Sequence, residues 1–182
     1  HHLAIWDTAN GTRLHTLQGH SESINAFTIS QDGSKIISAS EDKTIKVWDA
    51  KSAKELHILA GHTSGLEECA VSPDSTRIAS LDWDGGFKIW DTDNGKELQT
   101  TSFQISPLHT VAISPDLSRF VSAGNEKKSE LQILDTTSRK KLHSAQIFNS
   151  SERKIILSIS PDGTWVGVKT GIETQKIGRA HV

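Results

Sequence analysis

The sequence contains one cysteine, four prolines and no methionine. A single cysteine, Cys69, excludes an internal disulfide, and the paired Cys or His spacing of a zinc site does not occur. No run of 18 or more apolar residues is present, so we expect no membrane-spanning helix. Because the sequence has no starting methionine, we expect it to be part of a longer protein.

The sequence also has no excess of positive charge. Its 20 Lys and Arg residues against 22 Asp and Glu residues leave a net charge of −2. Proteins that bind nucleic acids neutralise phosphates with clustered Lys and Arg, so we expect no nucleic-acid partner. A glycine-rich phosphate loop, a metal-ligand cluster and an unrepeated acid–base pair are missing too. We therefore expect no enzyme activity and no cofactor.

The sequence does contain a repeat of about 42 residues. Three motifs recur in the same order: Gly-His, a Ser-Pro-Asp-Gly-like turn, and Trp-Asp or its relative Leu-Asp. The Trp or Leu positions are 42, 42 and 44 residues apart. They are Trp6, Trp48, Trp90 and Leu134. A period near 40 residues indicates several copies of one supersecondary unit.

Each repeat is predicted to be four short antiparallel strands. Apolar residues alternate with others before each Trp or Leu, as at Ile45 and Val47, which is typical of a half-buried strand. Pro followed by Asp favours a tight turn, and Asn10-Gly11 and Asn94-Gly95 favour two-residue hairpins. A leucine recurs on the predicted outer strands. These leucines are Leu14, Leu56, Leu98 and Leu142.

The three motifs in one register resemble the WD-repeat (WD40-type) β-propeller family, over about residues 3–170. The resemblance implies an all-β fold, a propeller fragment of about four four-stranded antiparallel blades with partial first and last blades. It also implies an arc of a larger propeller, most often one of seven blades. A closed ring of four blades is the alternative.

The predicted organisation follows the motifs. Residues 1–19 are the end of a preceding blade, 20–60 and 61–103 are WD repeats, 104–148 is a degenerate repeat, and 149–170 starts a further one. Residues 171–182 are predicted to be an unstructured tail. Reverse translation of 177–182 resembles a sequencing adapter, so we expect these six residues to be an assembly artefact.

One set of residues suggests a catalytic triad, because Ser, His and Asp together can form a nucleophile with its base. The set occurs twice, however, and a hydrolase needs one site. The resemblance implies instead a buried hydrogen-bond relay in each of two blades. The predicted relays are His20, Ser38, Asp42 and Trp48, and His62, Ser80, Asp84 and Trp90. The third blade has Gln104 and Leu134 at the corresponding places, so we expect apolar packing to hold it.

The resemblance also implies which side chains face the rim that bears the Gly-His loops. They are Ser23, Asn25, Glu41, Glu67, Trp83, His109 and Arg153. Trp83 is the main candidate for a partner contact, because it is not one of the repeated tryptophans and exposed Trp often anchors interfaces. The alternative is that it packs over the neighbouring blade. Glu41 and Glu67, with Asp82, favour a partner with Lys or Arg, although each alone is also typical of an ordinary solvated residue.

We therefore expect a non-catalytic platform that binds a protein or peptide, within a larger intracellular scaffold or regulatory protein of the cytoplasm or nucleus. No metal, cofactor, nucleic acid or membrane is expected as a partner, and the rest of the propeller should pack on this chain in cis. The alternatives are an enzyme built on a propeller and a structural repeat spacer.

Overall fold

The computed structural model describes residues 1–103, 110–123, 130–146, 155–160, 164–170 and 173–177. These residues contain β-strands and no helix, so this part of the chain has no helical segment able to cross a membrane. The strands, in chain order, are β1 His2–Trp6, β2 Arg13–Gln18, β3 Ile24–Ile29, β4 Lys35–Ser40, β5 Thr44–Asp49, β6 Glu55–Ala60, β7 Leu66–Val71, β8 Arg77–Asp82, β9 Gly86–Asp91, β10 Glu97–Ser102, β11 Thr110–Ile113, β12 Arg119–Ala123, β13 Glu130–Asp135, β14 Lys141–Gln146, β15 Ile155–Ile159, β16 Val166–Thr170 and β17 Glu173–Ile177.

The strands form five sheets in which neighbours in sequence are also neighbours in space. The first sheet is β1–β2, the second β3–β6, the third β7–β10, the fourth β11–β14 and the fifth β15–β17. The second, third and fourth sheets are four-stranded, with antiparallel pairing. The predicted all-β fold and the four-stranded repeat unit are confirmed.

The Ser-Pro-Asp-Gly-like turns join the first two strands of a sheet through one set of hydrogen bonds. Ser30 Oγ donates to Asp32 Oδ1 at 2.6 Å and accepts from the Lys35 N–H at 2.9 Å. Ser72 and Ser114 make the same two bonds in the next sheets. The hydrogen bond from Ser30, together with those from Ser34, lowers the pKa of Asp32 to about 2. Each turn is thus closed by a side chain as well as by the backbone.

The loops after the Trp-Asp pairs are longer than the two-residue hairpins predicted at Asn10-Gly11 and Asn94-Gly95, and that prediction is wrong. Residues 7–12 separate β1 from β2, and the Gly11 N–H donates to the Asp7 carbonyl at 2.8 Å. The Asp7 carboxylate accepts the Ala9 N–H at 2.7 Å. The longer loop forms because the carboxylate of the Asp accepts backbone N–H groups of the loop, as in an Asx-type turn. A two-residue hairpin would leave this carboxylate without those donors.

The chain divides into two units, and the first comprises His1–Asp82 and Gly86–Thr101. In this unit, Leu3, Ile5 and Leu17 of the first sheet pack on Ile36 and Trp48 of the second. The opposite face of the second sheet packs on the third sheet. That cluster contains Ile37, Ala39, Ile45, Val47, Leu59, Leu66, Cys69, Ile78 and Trp90. The second sheet is therefore covered on both faces.

The second unit comprises Trp83–Gly85 and Ser102–Val182. Its apolar cluster joins the fourth sheet to the fifth. The buried members are Val121, Ala123, Leu131, Ile133 and Val168, with Leu157, Ile159 and Val166 packed against them. The rings of Phe103 and Phe120 lie 5.0 Å apart between centroids. Val168 lies opposite Leu157, at the register that the relay serines Ser38 and Ser80 hold in the second and third sheets, so apolar volume takes the place of a hydroxyl there.

The predicted unstructured tail at 171–182 is wrong for Glu173–Ile177, which form β17. This strand pairs antiparallel with β16, with Val166 opposite Ile177. The physical reason is that β16 would otherwise leave a row of backbone donors and acceptors unpaired on that side. The interpretation of 177–182 as an artefact falls mostly on residues outside the described part of the chain.

Glu68 stands at an unusual position in the third sheet. It lies opposite Leu81, at the register that Ala26 holds opposite Ala39 in the second sheet. Loss of solvation raises the pKa of Glu68 to about 7, despite a hydrogen bond from the Cys69 N–H, and the charge of Glu67 adds to the rise. A carboxylate therefore occupies a place that the preceding repeat gives to a small apolar side chain.

We predict that Glu68 makes the protein less stable as the pH rises. Its pKa is about 7 when folded against an ordinary value of 4.5, so the free energy of unfolding should fall between about pH 4.5 and pH 7 and then level off. The loss is at most about 3 kcal/mol. Glu68→Gln should remove this part of the pH dependence in denaturant titrations from pH 5 to pH 8. Identical pH profiles for the two proteins would contradict the prediction.

Candidate functional site

The first predicted relay is a continuous chain of hydrogen bonds inside the second sheet. Trp48 Nε1 donates to Ser38 Oγ at 2.9 Å, and Ser38 Oγ lies 2.8 Å from His20 Nε2. His20 Nδ1 lies 2.7 Å from Asp42 Oδ2. The indole can only donate, so Ser38 donates onward to Nε2 and the imidazole donates Nδ1–H to the carboxylate.

Asp42, the last member of this hydrogen-bond relay, is held by Thr44 as well as by His20. The Thr44 hydroxyl donates to Asp42 Oδ1 at 2.6 Å and its N–H donates at 3.0 Å. Burial acts to raise the pKa of Asp42, but the hydrogen bonds from Thr44 and His20 outweigh it and lower the pKa. The carboxylate is therefore ionised at neutral pH and is a strong acceptor for the imidazole.

The second relay uses a different aspartate from the one predicted. Trp90 Nε1 donates to Ser80 Oγ at 2.8 Å, and Ser80 Oγ lies 2.7 Å from His62 Nε2. His62 Nδ1 lies 2.7 Å from Oδ2 of Asp82. The prediction that Asp84 completes this relay is wrong. Asp82 is the last residue of β8 and is buried, whereas Asp84 is exposed. The prediction that Asp82 adds to an acidic rim is therefore wrong as well, because its carboxylate is bound inside the relay.

The cause of this exchange is Gly86, which stands where the first relay has Thr44. A Cβ at Gly86 would overlap the Asp82 carboxylate, with Cγ only 2.9 Å away. The carboxylate of Asp82 thus occupies the space of the missing side chain, and Oδ1 accepts the Gly86 N–H at 2.7 Å. In the second sheet, Ser40 takes the place of Asp82 and donates to the Glu22 carbonyl at 3.3 Å.

Neither relay serine is placed to act on a substrate. Ser38 and Ser80 are fully buried, and each hydroxyl is engaged by both an indole and an imidazole. A nucleophile must reach the reacting atom of its substrate, and these two cannot. Among the described residues, no group of three or more His, Cys, Asp and Glu side chains could hold a metal ion.

A lysine and a glutamate accompany each relay tryptophan, and sequence reasoning missed them. Lys46 Nζ lies 5.8 Å from the Trp48 ring centroid and pairs with Glu55. Lys88 Nζ lies 5.8 Å from the Trp90 ring centroid and 2.7 Å from Glu97. Their spacing in the sequence could have revealed them, because both lysines are two residues before the tryptophan and both glutamates are seven residues after it.

The Gly-His motif is explained by the same tryptophan. Gly19 has a φ of +157°, a backbone conformation that residues other than glycine rarely adopt. A Cβ there would come within 3.2 Å of the Trp48 ring and 3.3 Å of Lys46 Nζ. The Gly-His motif thus combines a glycine, which lets the backbone lie close to the Trp48 ring, with the histidine of the relay.

The structure places the predicted rim residues of the second sheet at one end of that sheet. The Glu41 N–H donates to the Ser23 carbonyl at 2.9 Å, so the loops before β3 and after β4 are joined there. Asn25 lies at a bulge in β3 and donates from Nδ2 to the Leu66 carbonyl at 2.9 Å. Asn25 therefore ties the second sheet to the third.

The remaining rim residues belong to later repeats. Glu67 is partly buried and lies at a bulge in β7. Trp83 directly follows β8 and is 44% exposed. His109, Arg153 and the degenerate relay position Gln104 lie outside the described residues. The described rim residues thus lie in loops or at strand bulges.

Comparison with known proteins agrees with this geometry. Residues 11–49 and 53–91 match the WD40 family, described as WD domain, G-beta repeat. Two segments of this chain are thus similar to WD40 repeats. A segment of 44 residues is 43% identical to Lissencephaly-1 homolog 1 of Paramecium tetraurelia. The segment covers 24% of this chain and 11% of that protein. The match therefore spans only about a tenth of the relative's length.

The two matched WD40 repeats each contain one complete relay. His20 to Trp48 fall within 11–49, and His62 to Trp90 fall within 53–91. The second repeat keeps the relay even though its carboxylate comes from Asp82. WD40 repeats are in general protein-interaction modules, and residues 11–49 and 53–91 are similar to them.

We predict that Asp82 and Gly86 are energetically coupled. Asp82→Ser alone should cost about 2–3 kcal/mol, because His62 loses its buried acceptor. Gly86→Thr alone should also destabilise the protein, since its Cβ would overlap the Asp82 carboxylate. The double variant reproduces the Ser40, Asp42 and Thr44 arrangement, so its loss should be smaller than the sum of the single losses. The measurement is a double-mutant cycle by denaturant unfolding.

Asp84→Asn is the matched control for this cycle. In the parent protein it should cost less than about 1 kcal/mol, because Asp84 is exposed. In the double variant it should become costly, because Asp84 would then be the relay acid. Additive losses throughout would show that Gly86 does not determine which aspartate is used.

Proposed function

We propose that the chain is a non-catalytic protein-binding platform, part of an intracellular scaffold or regulatory protein, whose partner is anchored by Trp83. The observation that carries this proposal is an exposed, unrepeated tryptophan on a loop with a fixed backbone. Trp83 is 44% exposed, whereas the relay tryptophans Trp48 and Trp90 are buried. Aromatic side chains held in this way contribute strongly to binding because little entropy is lost on contact.

The loop of Trp83 is fixed by the residues that flank it. Asp82, on one side, is bound to His62 and Gly86 in the relay. Gly85, on the other side, has a φ of +83° and its carbonyl accepts the Phe103 N–H at 2.9 Å. These contacts support a preorganised presentation of the indole.

Acidic residues support a partner with Lys or Arg side chains. Glu41 is held in place by the bond of its N–H to Ser23, and it is followed directly by the relay residue Asp42. Glu67 lies at the bulge of β7 and Asp84 is exposed beside Trp83 in sequence. Charges of one sign on such loops steer a partner of opposite charge. His109, Arg153, Ser23 and Asn25 remain lesser candidates, and Asn25 already binds Leu66.

We further propose that these repeats form an arc of a larger propeller, and that the remaining blades pack on this chain in cis. Several large apolar side chains of the first two sheets support this view, because they are exposed where later repeats bury theirs. They include Trp6, Phe27 and Ile29. The similarity to a Lissencephaly-1 homolog is consistent with a WD40 domain in a longer protein.

We predict that Trp83→Ala lowers recovery of a bound protein at least about tenfold, and that Glu41→Lys lowers it further if the partner is basic. The measurement is affinity capture with the purified chain, followed by titration with the captured protein. Trp165→Ala is the matched control, because Trp165 is also exposed but lies in a later repeat, where its N–H donates to Ser160 Oγ at 2.9 Å. Equal losses, or none, would overturn the assignment of Trp83.

A further inference from the structure

The outer strand of the second sheet, β6, exposes an apolar face formed by Leu56, Ile58 and Ala60. Leu56 is 42% exposed and Ile58 is 53% exposed, and Ala60 is exposed beside them. The three residues alternate along the strand, so their side chains lie on one side of it. Edge strands of natural proteins usually carry charged or polar side chains that discourage pairing with another chain, and this side of β6 carries none.

The other outer strands show that this apolar face is particular to β6. In β2, β10 and β14 the repeat has a Thr or Ser at the position of Ile58 and a Gln or Ser at the position of Ala60. The former residues are Thr16, Thr100 and Ser144, and the latter are Gln18, Ser102 and Gln146. Those three strands therefore have one exposed leucine followed by polar side chains, whereas β6 has three apolar side chains at alternate positions.

Ile58 is exposed although the neighbouring sheet is in place. It lies opposite Lys46, on the side of the second sheet that packs on the first sheet. The outer strand of the first sheet, β2, is described throughout, and its Leu17 is buried against Trp48. The apolar face of β6 is therefore an outward surface of the first unit and not part of the packing between its sheets.

The opposite side of β6 is held in place by the third sheet. Leu59 is 1% exposed and belongs to the apolar cluster between the two sheets. His57 donates from Nε2 to the Asp93 carbonyl at 2.9 Å, and a Cβ at Gly95 would come within 3.1 Å of the Leu59 side chain. Because β6 is fixed from behind, little conformational entropy of the protein is lost when another chain pairs with it.

The backbone of β6 indicates what kind of chain fits there. The strand order of the second sheet is β3-β4-β5-β6, so among the described residues β6 pairs with β5 alone. Its backbone groups on the other side can be bonded by an extended chain, whereas a helix has already used its own backbone groups internally. An occupant that satisfies this edge and contacts the apolar face is therefore a strand with apolar side chains at alternate positions.

The charges at the start of β6 favour an acidic residue at one end of this strand. Lys54 directly precedes β6, is exposed and makes no ion pair with another described residue. The neighbouring charges compensate each other, because Lys46 pairs with Glu55 and Lys35 pairs with Asp93 at 3.1 Å. An acidic residue beside Lys54 is therefore favoured. In an antiparallel pair, the commoner arrangement, that residue is at the C-terminal end of the added strand.

We propose that the edge of β6 is a docking site for an extended segment of another protein. The segment pairs antiparallel with β6, places apolar side chains on Leu56, Ile58 and Ala60, and carries acidic residues at its C-terminal end. A second copy of this chain fits less well, because β6 ends in Ala60-Gly61-His62, which offers no acidic residue to Lys54. The site involves a different strand from the Trp83 loop, and the inference does not rest on the proposed role of Trp83.

The probe is a synthetic peptide with valine at four alternate positions, threonine between them and two glutamates at its C-terminal end. The full chain should bind it, and the β6 amides that point away from β5 should exchange at least about tenfold more slowly in the complex. Proline at two adjacent central positions of the peptide should weaken binding at least about tenfold, because proline has no N–H to donate. Two lysines in place of the glutamates should weaken it at least about threefold, because they would lie beside Lys54.

Ile58→Thr tests the apolar face, because it gives β6 the residue type of the other outer strands. It should weaken binding of the peptide at least about fivefold and leave the melting temperature unchanged, since Ile58 is exposed. Leu98→Thr is the matched control, because Leu98 is 53% exposed on β10 and its loss should leave binding unchanged. Equal losses for the two variants, a loss for neither, or no binding by the parent chain overturns the inference. Equal binding of the proline-containing peptide would exclude strand pairing. Self-association of the parent chain that Ile58→Thr abolishes would assign the edge to a second copy and overturn the proposed partner.

Discussion

Both faces of each four-stranded sheet carry apolar side chains, and the rest of the structure depends on covering them. In the second sheet, Ile36 and Trp48 face the first sheet while Ile37 and Val47 face the third. Burial of apolar area contributes about 25 cal/mol per Å², so a single sheet with two open faces has too little burial to offset its chain entropy. Repeats of this kind are stable only when they are stacked.

The relays add orientation to this packing. A buried serine hydroxyl that receives an indole N–H and binds an imidazole fixes two strands and the loop before the sheet in one geometry. The exchange from Asp42 to Asp82 shows that the network, rather than a particular position, is what the fold retains. A single missing side chain at Gly86 provides the space for the alternative carboxylate. Trp83 therefore directly follows the relay aspartate in sequence, whereas Glu41 directly precedes the relay aspartate of the second sheet.

Much of the fold could be predicted from the sequence because the motifs share one register. The strand unit and the tight turns follow from residues spaced 42 apart, and the first relay follows from the family resemblance that those residues carry. Spacing alone could not show that Asp82 replaces Asp84, because both are aspartates near the same turn and only the volume at Gly86 separates them. It also could not reveal β17, whose residues carry no repeat motif and pair because β16 has an open edge.

Native-state hydrogen exchange on the unmodified chain tests the central claim that coverage of both faces governs stability. The amides of β4 and β5, in the sheet covered on both faces, should exchange about a hundredfold more slowly than those of β1 and β2, in the sheet covered on one face. Equal protection of the first and second sheets would show that stacking does not determine their stability and would contradict this account.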